Sequence, residues 1–226
     1  MIITIDGTSA SGKTSAARAL ARRLGFALLR TGAMYRALAL AAHEAGFDET
    51  ATEQELASWL PRWQIDADET HVYLNGKDVS PKIDGNLMSN LSSKWAEYPA
   101  VREHVTRCTR QRAQKYESEG RSFVSEGRDQ GSLVFADAEC KFYIDADVQV
   151  RAERRLKDLH HREDHSKTVE QLVAELNERD SRDRNRPVGK LCIPDGSMQI
   201  DTTHMTKDAV VELLLQAVES CRGKRA

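Results

Sequence analysis

Residues 7–14 spell Gly-Thr-Ser-Ala-Ser-Gly-Lys-Thr and fill every position of the phosphate-binding pattern G-x-x-x-x-G-K-[ST]. The apolar, β-branched run at 2–5 before this motif predicts a buried strand, and apolar residues at helical spacing after it predict a helix. A glycine loop between a strand and a helix N-terminus directs backbone N–H groups and the helix dipole at one anion. The motif in this context therefore predicts a nucleoside triphosphate site rather than a glycine turn that binds nothing.

The candidate ATP-binding residues follow from this motif. Lys13 can reach the outer phosphates, and the Thr14 hydroxyl can hold the Mg²⁺ that arrives with ATP. A second metal is not expected, because the cluster of His160, His161 and His165 matches no metal-binding order and is typical of a solvated helix end. The predicted ATP-binding set is Gly7, Thr8, Ser9, Ala10, Ser11, Gly12, Lys13, Thr14 and Ser15.

Charge and cysteine spacing exclude several other classes of protein. A net charge of −2 over 226 residues argues against a nucleic-acid partner, which usually requires a strong basic excess. The sequence has no apolar run of membrane-spanning length and starts with a strand rather than a signal segment, so we expect a cytoplasmic monomer with no membrane partner. The four cysteines lie far apart without C-x-x-C spacing, which predicts buried or inert thiols rather than a zinc site or a redox pair.

The order of predicted elements indicates an α/β fold with a parallel sheet core flanked by helices. Between residues 63 and 80 the pattern changes to loose alternation with an Asn75-Gly76 turn signal, which predicts a small antiparallel insertion. We expect one domain over 1–226. Its predicted parts are a core at 1–60, 116–150 and 187–226, an insertion at about 61–115 and a helical arginine lid at about 151–186.

Three groups of cations follow the phosphate motif along the chain. Phosphoryl transfer depends on positioning and charge neutralisation, so cations are needed around the moving group. Arg36 follows Thr31-Gly32 at the start of a predicted helix, where an ordinary solvated arginine is an equally good interpretation. Arg128-Asp129 lies between glycines after a predicted strand, in the kind of loop where α/β proteins bind ligands.

The third group lies in a predicted helix that ends before Pro187. Helical spacing places Arg179, Arg182, Asp183 and Arg186 on one face. Ordinary surface pairs at i, i+4 (Glu175–Arg179 and Glu178–Arg182) account for part of this charge. Three arginines on one face exceed what those pairs require, and they favour a lid that closes over phosphates.

Five stretches, in the same order, resemble the bacterial cytidylate kinase family, whose members transfer the γ-phosphoryl group of ATP to CMP or dCMP. They are residues 5–14, 31–36, 98–103, 127–131 and 178–186, so the resemblance runs nearly end to end. It implies a P-loop kinase fold in which the antiparallel insertion belongs to the monophosphate-binding region. It also implies that the nucleophile is the acceptor's own phosphate oxyanion, so that no catalytic base is needed.

The resemblance also implies roles for individual residues. Ser93, Arg102 and Asp129 would read the cytosine edge, and Arg179 with Asp183 would hold the ribose hydroxyls. Arg36, Arg128 and Arg186 would hold the acceptor phosphate, with Lys13, Arg128 and Arg186 serving catalysis. The chain departs from the family pattern where Thr31 replaces a serine, and also at Arg30, Glu126 and Gln130.

Two alternative functions remain open from the sequence. A kinase of the same architecture could phosphorylate UMP, AMP or a small metabolite. A nucleotide-dependent switch or motor could use the same phosphate loop, although the near-neutral charge and compact length disfavour a motor. The sequence also lacks the N-K-x-D motif expected of a GTP-dependent switch.

Overall fold

The computed structural model describes residues 1–48, 50–161 and 165–223. The strands are β1 (Ile2–Gly7), β2 (Ala27–Arg30), β3 (Ile65–Ala67), β4 (Val72–Leu74), β5 (Lys77–Asp78), β6 (Phe123–Glu126), β7 (Cys140–Asp145) and β8 (Met198–Asp201). The helices are α1 (Lys13–Leu24), α2 (Thr31–Glu44), α3 (Glu53–Trp59), α4 (Asn86–Trp95), α5 (Pro99–Ser118), α6 (Val148–His160), α7 (Val169–Asn185) and α8 (Lys207–Gly223).

The main sheet has five parallel strands in the order β2-β6-β1-β7-β8. Strand β1 is central and fully paired, so the phosphate motif that follows it opens at the carboxyl edge of the sheet. Gly7 ends this strand against β7, and a Cβ there would collide with the carbonyl oxygen of Ile144. Helices α1 and α8 pack together on this sheet, with Leu20 and Leu214 fully buried in the shared core.

The insertion is built as its sequence pattern predicts. Strands β3, β4 and β5 form a small antiparallel sheet. Asn75 and Gly76 both have positive φ, 48° and 78°, as the tight turn of a hairpin requires. The buried faces of this sheet and of helices α2 to α5 share a second hydrophobic core, which includes Trp59, Ile65 and Trp95. This second core joins α2, α3, α4, α5 and the small sheet into one packed unit.

Helix boundaries agree with the local signals in most places. The pairs Thr52–Glu55 and Thr168–Gln171 have the spacing that predicts a capping box at a helix N-terminus. Both boxes form. The highly charged segment 148–165 predicts a helix. The observed helix ends at His160, and residues 162–164 of the segment lie outside the described residues. Within the described ranges, no helix is both long enough and apolar enough to span a membrane.

The prediction of buried or inert thiols is wrong for two of the four cysteines, because they are joined to each other rather than free. Cys140 on β7 and Cys221 on α8 form a disulfide, whereas Cys108 is a buried free thiol and Cys192 an exposed one. The paired residues are 81 positions apart, so local spacing carries no signal of their contact. They meet because α8 packs along the sheet face that carries Cys140.

Candidate active site

The phosphate loop connects β1 to α1 at the carboxyl edge of the sheet. Its amides converge at the start of α1, where Gly12 has a φ of 91°. Lys13 is buried, and its Nζ donates a hydrogen bond to the Thr8 carbonyl oxygen over 2.8 Å. Burial, with repulsion from the Arg128 guanidinium, lowers the pKa of Lys13 to about 7. Among the described residues, no carboxylate forms an ion pair with this amine, so the loop holds a cation without an anionic partner in direct contact.

The nine predicted ATP-binding residues do not all face the same space. Ser9, Ala10, Lys13 and Thr14 line a cleft of about 260 Å³ between the sheet edge and the helices. Gly7, Thr8, Ser11 and Gly12 do not line this cleft and form the loop's backbone framework; Thr8 donates to Asp145 over 2.5 Å. Ser15 lies outside the cleft, in a shallow depression beside Arg18.

Ser9 is held in place by the two helices that follow β7. Its N–H donates to Asp180 Oδ1 over 3.0 Å, and its carbonyl oxygen accepts from Arg151 Nη1 over 2.9 Å. Arg151 and Asp180 are themselves a buried ion pair at 2.6 Å. Arg128 Nη2 donates to the Ser9 hydroxyl over 2.9 Å. Sequence reasoning missed Arg151 and Asp180, because each resembles an ordinary charge on a helix rich in charges.

The opposite end of the cleft contains a buried ion pair between Arg102 on α5 and Asp129 after β6, with side chains only 2% and 3% exposed. The Arg102 guanidinium also lies 5.4 Å from the centre of the Tyr35 ring, within cation–π range. Gly189 has a φ of +60°, and a Cβ there would collide with both members of the pair. This close approach of Gly189, which carries no sequence motif, encloses the ion pair.

The loop that carries Asp129 is anchored to the central strand. Asp6 on β1 accepts two backbone hydrogen bonds, from the N–H of Gln130 over 2.8 Å and from the N–H of Gly131 over 2.7 Å. Burial raises the pKa of Asp6 to about 7, against the lowering effect of these two donors. Asp129 is therefore held at a fixed height above the sheet edge.

Four arginines surround the middle of the cleft, and two of them bind the Asp183 carboxylate. Arg128 Nε donates to Asp183 Oδ2 over 2.9 Å, and Arg186 Nη1 donates to Asp183 Oδ1 over 3.2 Å. Arg179 Nη1 donates to the Ser89 hydroxyl over 2.6 Å, and burial lowers the Arg179 pKa to about 10. Arg36 also lines the cleft, and burial lowers its pKa. Asp183 thus partly neutralises a surplus of positive charge.

Several buried polar atoms in this cleft have no hydrogen-bond partner among the described residues. They are Arg36 Nε, Ser93 Oγ, Arg102 Nε, Arg179 Nε and Arg186 Nη2, each on a residue that lines the cleft. Unpaired buried polar groups are costly, and native proteins keep few of them. Five in one cleft indicate groups arranged for a polar ligand.

Two expectations about side-chain direction need correction, and a third holds. Arg182 does not join the cleft face of α7; its Nη1 pairs with Glu178 over 2.6 Å, and the side chain borders a separate depression. Glu175 pairs with Lys167 rather than with Arg179. Arg179, Asp183 and Arg186 do share the cleft, although Arg186 follows the last helical residue.

The departures from the family pattern have local explanations. Arg30 does not line the cleft, because its Nη2 donates to the Thr70 carbonyl oxygen at the tip of the β3–β4 hairpin, 3.1 Å away. The Thr31 hydroxyl donates to the Glu126 carbonyl oxygen over 2.9 Å, and Thr31 also lines the cleft. Glu126 lines the cleft beside it.

For a metal ion, the cleft offers the exposed Thr14 side chain at the start of α1, next to Lys13. The described residues contain no group of three His, Cys, Asp or Glu side chains arranged to hold a metal. A single hydroxyl suits an ion such as Mg²⁺ that takes its other ligands from phosphate and water.

Comparison with known proteins gives a consistent family. A family model described as cytidylate kinase matches residues 3–220. The cytidylate kinase of Aeromonas salmonicida (strain A449) is 40% identical over 225 residues, covering 98% of this chain and 95% of that protein. The cytidylate kinase of Thermotoga sp. (strain RQ2) is 38% identical over 216 residues, covering 96% of each.

Among solved structures, an uncharacterized protein from Eubacterium ventriosum ATCC 27560 aligns with a TM-score of 0.52 and 15% identity, covering 97% of this chain and 99% of that one. This likeness supports the fold alone. The family model and the full-length relatives decide the assignment: the chain belongs to the cytidylate kinase family and is an ATP-dependent nucleoside monophosphate kinase.

Proposed function

We propose that this enzyme transfers the γ-phosphoryl group of Mg-ATP to CMP or dCMP, giving CDP or dCDP and ADP. The observation that carries the proposal is the set of unpaired, buried polar atoms in one cleft, which are at both its base-reading and its phosphate-binding end. A ligand with hydrogen-bond acceptors on a base edge and with an anionic group can satisfy all of them. A nucleoside monophosphate has both.

The ion-paired end of the cleft suits cytosine. Cytosine presents an amino donor at N4 beside acceptors at N3 and O2, so reading it takes an acceptor and at least one donor. Asp129 supplies the acceptor, and the unpaired Arg102 Nε and Ser93 Oγ supply donors. Uracil carries an oxygen at position 4, which would face the Asp129 carboxylate with its own lone pairs. We therefore assign base recognition to Ser93, Arg102 and Asp129.

The arginines suit the acceptor phosphate and the transferred group. Arg36, Arg128 and Arg186 bind the acceptor phosphate, and Arg179 with Asp183 binds the ribose hydroxyls, while Thr31 lines the same end. The ATP phosphates lie on the loop from Gly7 to Ser15, with Mg²⁺ at Thr14 neutralising their charge. Lys13, Arg128 and Arg186 then stabilise the charge of the γ-phosphoryl group as it passes in line to the acceptor oxygen.

Closure of the lid helices α6 and α7 completes this proposal. Water in the cleft would compete with the acceptor for the γ-phosphoryl group, so the enzyme must exclude it before transfer. The contacts from Arg151 and Asp180 to Ser9 support a lid whose base is tied to the phosphate loop. The free ends of α6 and α7 would then move over a donor site that is already formed.

The test is ADP production from Mg-ATP with a panel of nucleoside monophosphates. We expect turnover with CMP and dCMP to be at least about tenfold higher than turnover with UMP and AMP. The estimate reflects the contrast between a base that donates a hydrogen bond to Asp129 and a base that places an oxygen against it. Turnover confined to another monophosphate would keep the fold and overturn the assignment of Ser93, Arg102 and Asp129. ATP hydrolysis that DNA, RNA or protein stimulates, without any acceptor, would favour the switch or motor.

A further inference from the structure

The side chain of Gln130 has no role in the transfer described above, yet it lies in the centre of the base-reading loop. It is 1% exposed and begins a short π-helical turn, Gln130–Val134. Its Nε2 donates to Asp129 Oδ1 over 3.2 Å, and its Oε1 accepts from the Ser125 hydroxyl over 2.8 Å. The Gln130 carboxamide therefore connects the end of β6 to the carboxylate of Asp129, which we assign to recognition of the acceptor's base.

The chemistry of these groups fixes the direction of the chain of hydrogen bonds. The Asp129 carboxylate, ion-paired to Arg102, can only accept, so the NH₂ side of the Gln130 amide must face it. The amide oxygen then faces Ser125, whose hydroxyl donates. Turning the amide over would put its oxygen against Asp129 Oδ1 and lose that hydrogen bond, whereas the Ser125 hydroxyl could accept from the turned NH₂ group. The Asp129 carboxylate therefore fixes the orientation of the amide, and Ser125 holds its other end in place.

The carboxylate is held from two sides. Arg102 Nη2 binds Oδ2, and Gln130 Nε2 binds Oδ1, so rotation of the carboxylate plane breaks one contact or the other. The amide itself has little freedom, because the backbone of Gly127 lies directly on it. A Cβ at Gly127 would be 2.8 Å from Gln130 Nε2 and 2.6 Å from Thr31 Oγ1. The loop therefore leaves the amide no room to swing away.

We propose that Gln130, backed by Ser125, is a positioning residue that fixes the plane of the Asp129 carboxylate and thereby sets the preference for cytosine over uracil. The inference rests on the proposed function, in which Asp129 reads the base. A fixed carboxylate offers an oxygen to the cytosine amino group and repels the uracil oxygen at the same position. A carboxylate that can rotate loses part of its attraction for CMP and part of its rejection of UMP.

The first test is Gln130→Leu, which keeps the approximate size of the side chain and removes the amide. We expect the KM for CMP to rise about tenfold and the ratio of kcat/KM for CMP over UMP to fall about tenfold, the value of one hydrogen bond to a charged group. The KM for ATP should stay within about twofold. Leu133→Ala, on an exposed position of the same turn, is the matched control and should change neither ratio.

The second test is Gln130→Glu, which places a second carboxyl group beside Asp129 Oδ1. Two carboxylates this close repel each other when both are ionised, so at lower pH they share one proton. At pH 8 the pair loses this proton, and the repulsion should displace the Asp129 carboxylate and raise the KM for CMP. Towards pH 6 the shared proton restores a donor to Oδ1, and the KM should recover. The charged and titratable groups that act on Asp129 are Asp6, Tyr35, Arg102 and Arg186. These groups are present in both the wild type and Gln130→Glu. The pH profile of the variant is therefore compared with that of the wild type.

Ser125→Ala provides a third variant with an intact Gln130, and we expect it to show the same change in the CMP:UMP ratio at a smaller size. The inference is overturned if Gln130→Leu keeps the wild-type ratio, or if it raises the KM for ATP and CMP equally. If Gln130→Leu does not fold, a Gln130→Glu profile that matches the wild type from pH 6 to pH 8 is sufficient to overturn it. A wild-type enzyme without a preference for CMP would instead overturn the proposed function.

Discussion

Lys13, to which we assign a role in phosphoryl transfer, should destabilise the nucleotide-free protein. The Lys13 side chain is only 5% exposed. This burial, together with repulsion from the Arg128 guanidinium, lowers the pKa of Lys13 from 10.5 to about 7. Each tenfold loss of proton affinity corresponds to about 1.4 kcal/mol, so the buried ammonium costs about 4 kcal/mol at pH 7. The folded pKa is the lower one, so between pH 7 and 10.5 the unfolded chain binds more protons. The free energy of unfolding therefore gains a contribution that rises with pH in this window.

Lys13→Met should accordingly abolish phosphoryl transfer and stabilise the protein without nucleotide. The Thr8 carbonyl oxygen keeps a donor in the variant, because the Ser11 hydroxyl also binds it over 3.0 Å. We expect the variant to be about 1–3 kcal/mol more stable than the wild type at pH 7, after the loss of some packing and one hydrogen bond. The difference should shrink by about 2 kcal/mol between pH 7 and pH 9, as Lys13 of the wild type loses its proton.

The assay is urea unfolding of both proteins at pH 7 and pH 9 without nucleotide, followed by circular dichroism. Lys77→Met, at an exposed lysine on β5, serves as the control and should not change the pH dependence. Equal pH dependence in wild type and Lys13→Met, or a variant less stable at pH 7, would refute the reasoning. A near-normal rate of transfer in Lys13→Met would refute the catalytic role of Lys13.

Three further predictions follow from the same contacts. Because ATP supplies the anion that Lys13 lacks, ATP binding above pH 7 should take up protons; calorimetry in buffers of different ionisation enthalpy measures this, and no uptake at pH 8 contradicts it. Arg102→Ala leaves Asp129 buried and unpaired, so it should cost about 3–5 kcal/mol in urea unfolding and raise the KM for CMP more than that for ATP. Asp180→Ala frees the Ser9 N–H and should raise the KM for ATP about tenfold, with a smaller change for CMP; equal changes would argue against its link to the phosphate loop.

Local signals in the sequence predict much of this fold. The phosphate motif, the Asn75-Gly76 turn and the capping boxes at Thr52 and Thr168 are decided by residues within a few positions, and each forms as expected. The alternation of strands and helices predicts the parallel sheet for the same reason. Such features depend on residues that are close together in the sequence, so they can be predicted from it.

Contacts between distant parts of the chain could not be predicted in this way. Helical spacing gives Arg182 and Arg179 comparable positions on α7, but the proximity of Glu178 turns Arg182 away, while Arg179 faces Ser89 on α4. Gly189 has no motif, and its role in covering the Arg102–Asp129 pair depends on the path of the chain after α7. Ser93 and Arg102 became candidates only through the family resemblance, because their spacing matches many surface residues.

The contacts of Ser9 also determine when the protein can first bind nucleotide. The N–H of Ser9 finds its acceptor 171 residues later in the chain, and its carbonyl oxygen finds its donor 142 residues later. During synthesis, a chain that has just completed its phosphate motif therefore still lacks the groups that shape the loop. The central strand β1 likewise waits for β6 and β7 before it is paired on both sides. Newly made chains should gain affinity for ATP only after residue 180 has left the ribosome, so nucleotide cannot assist the earlier folding steps.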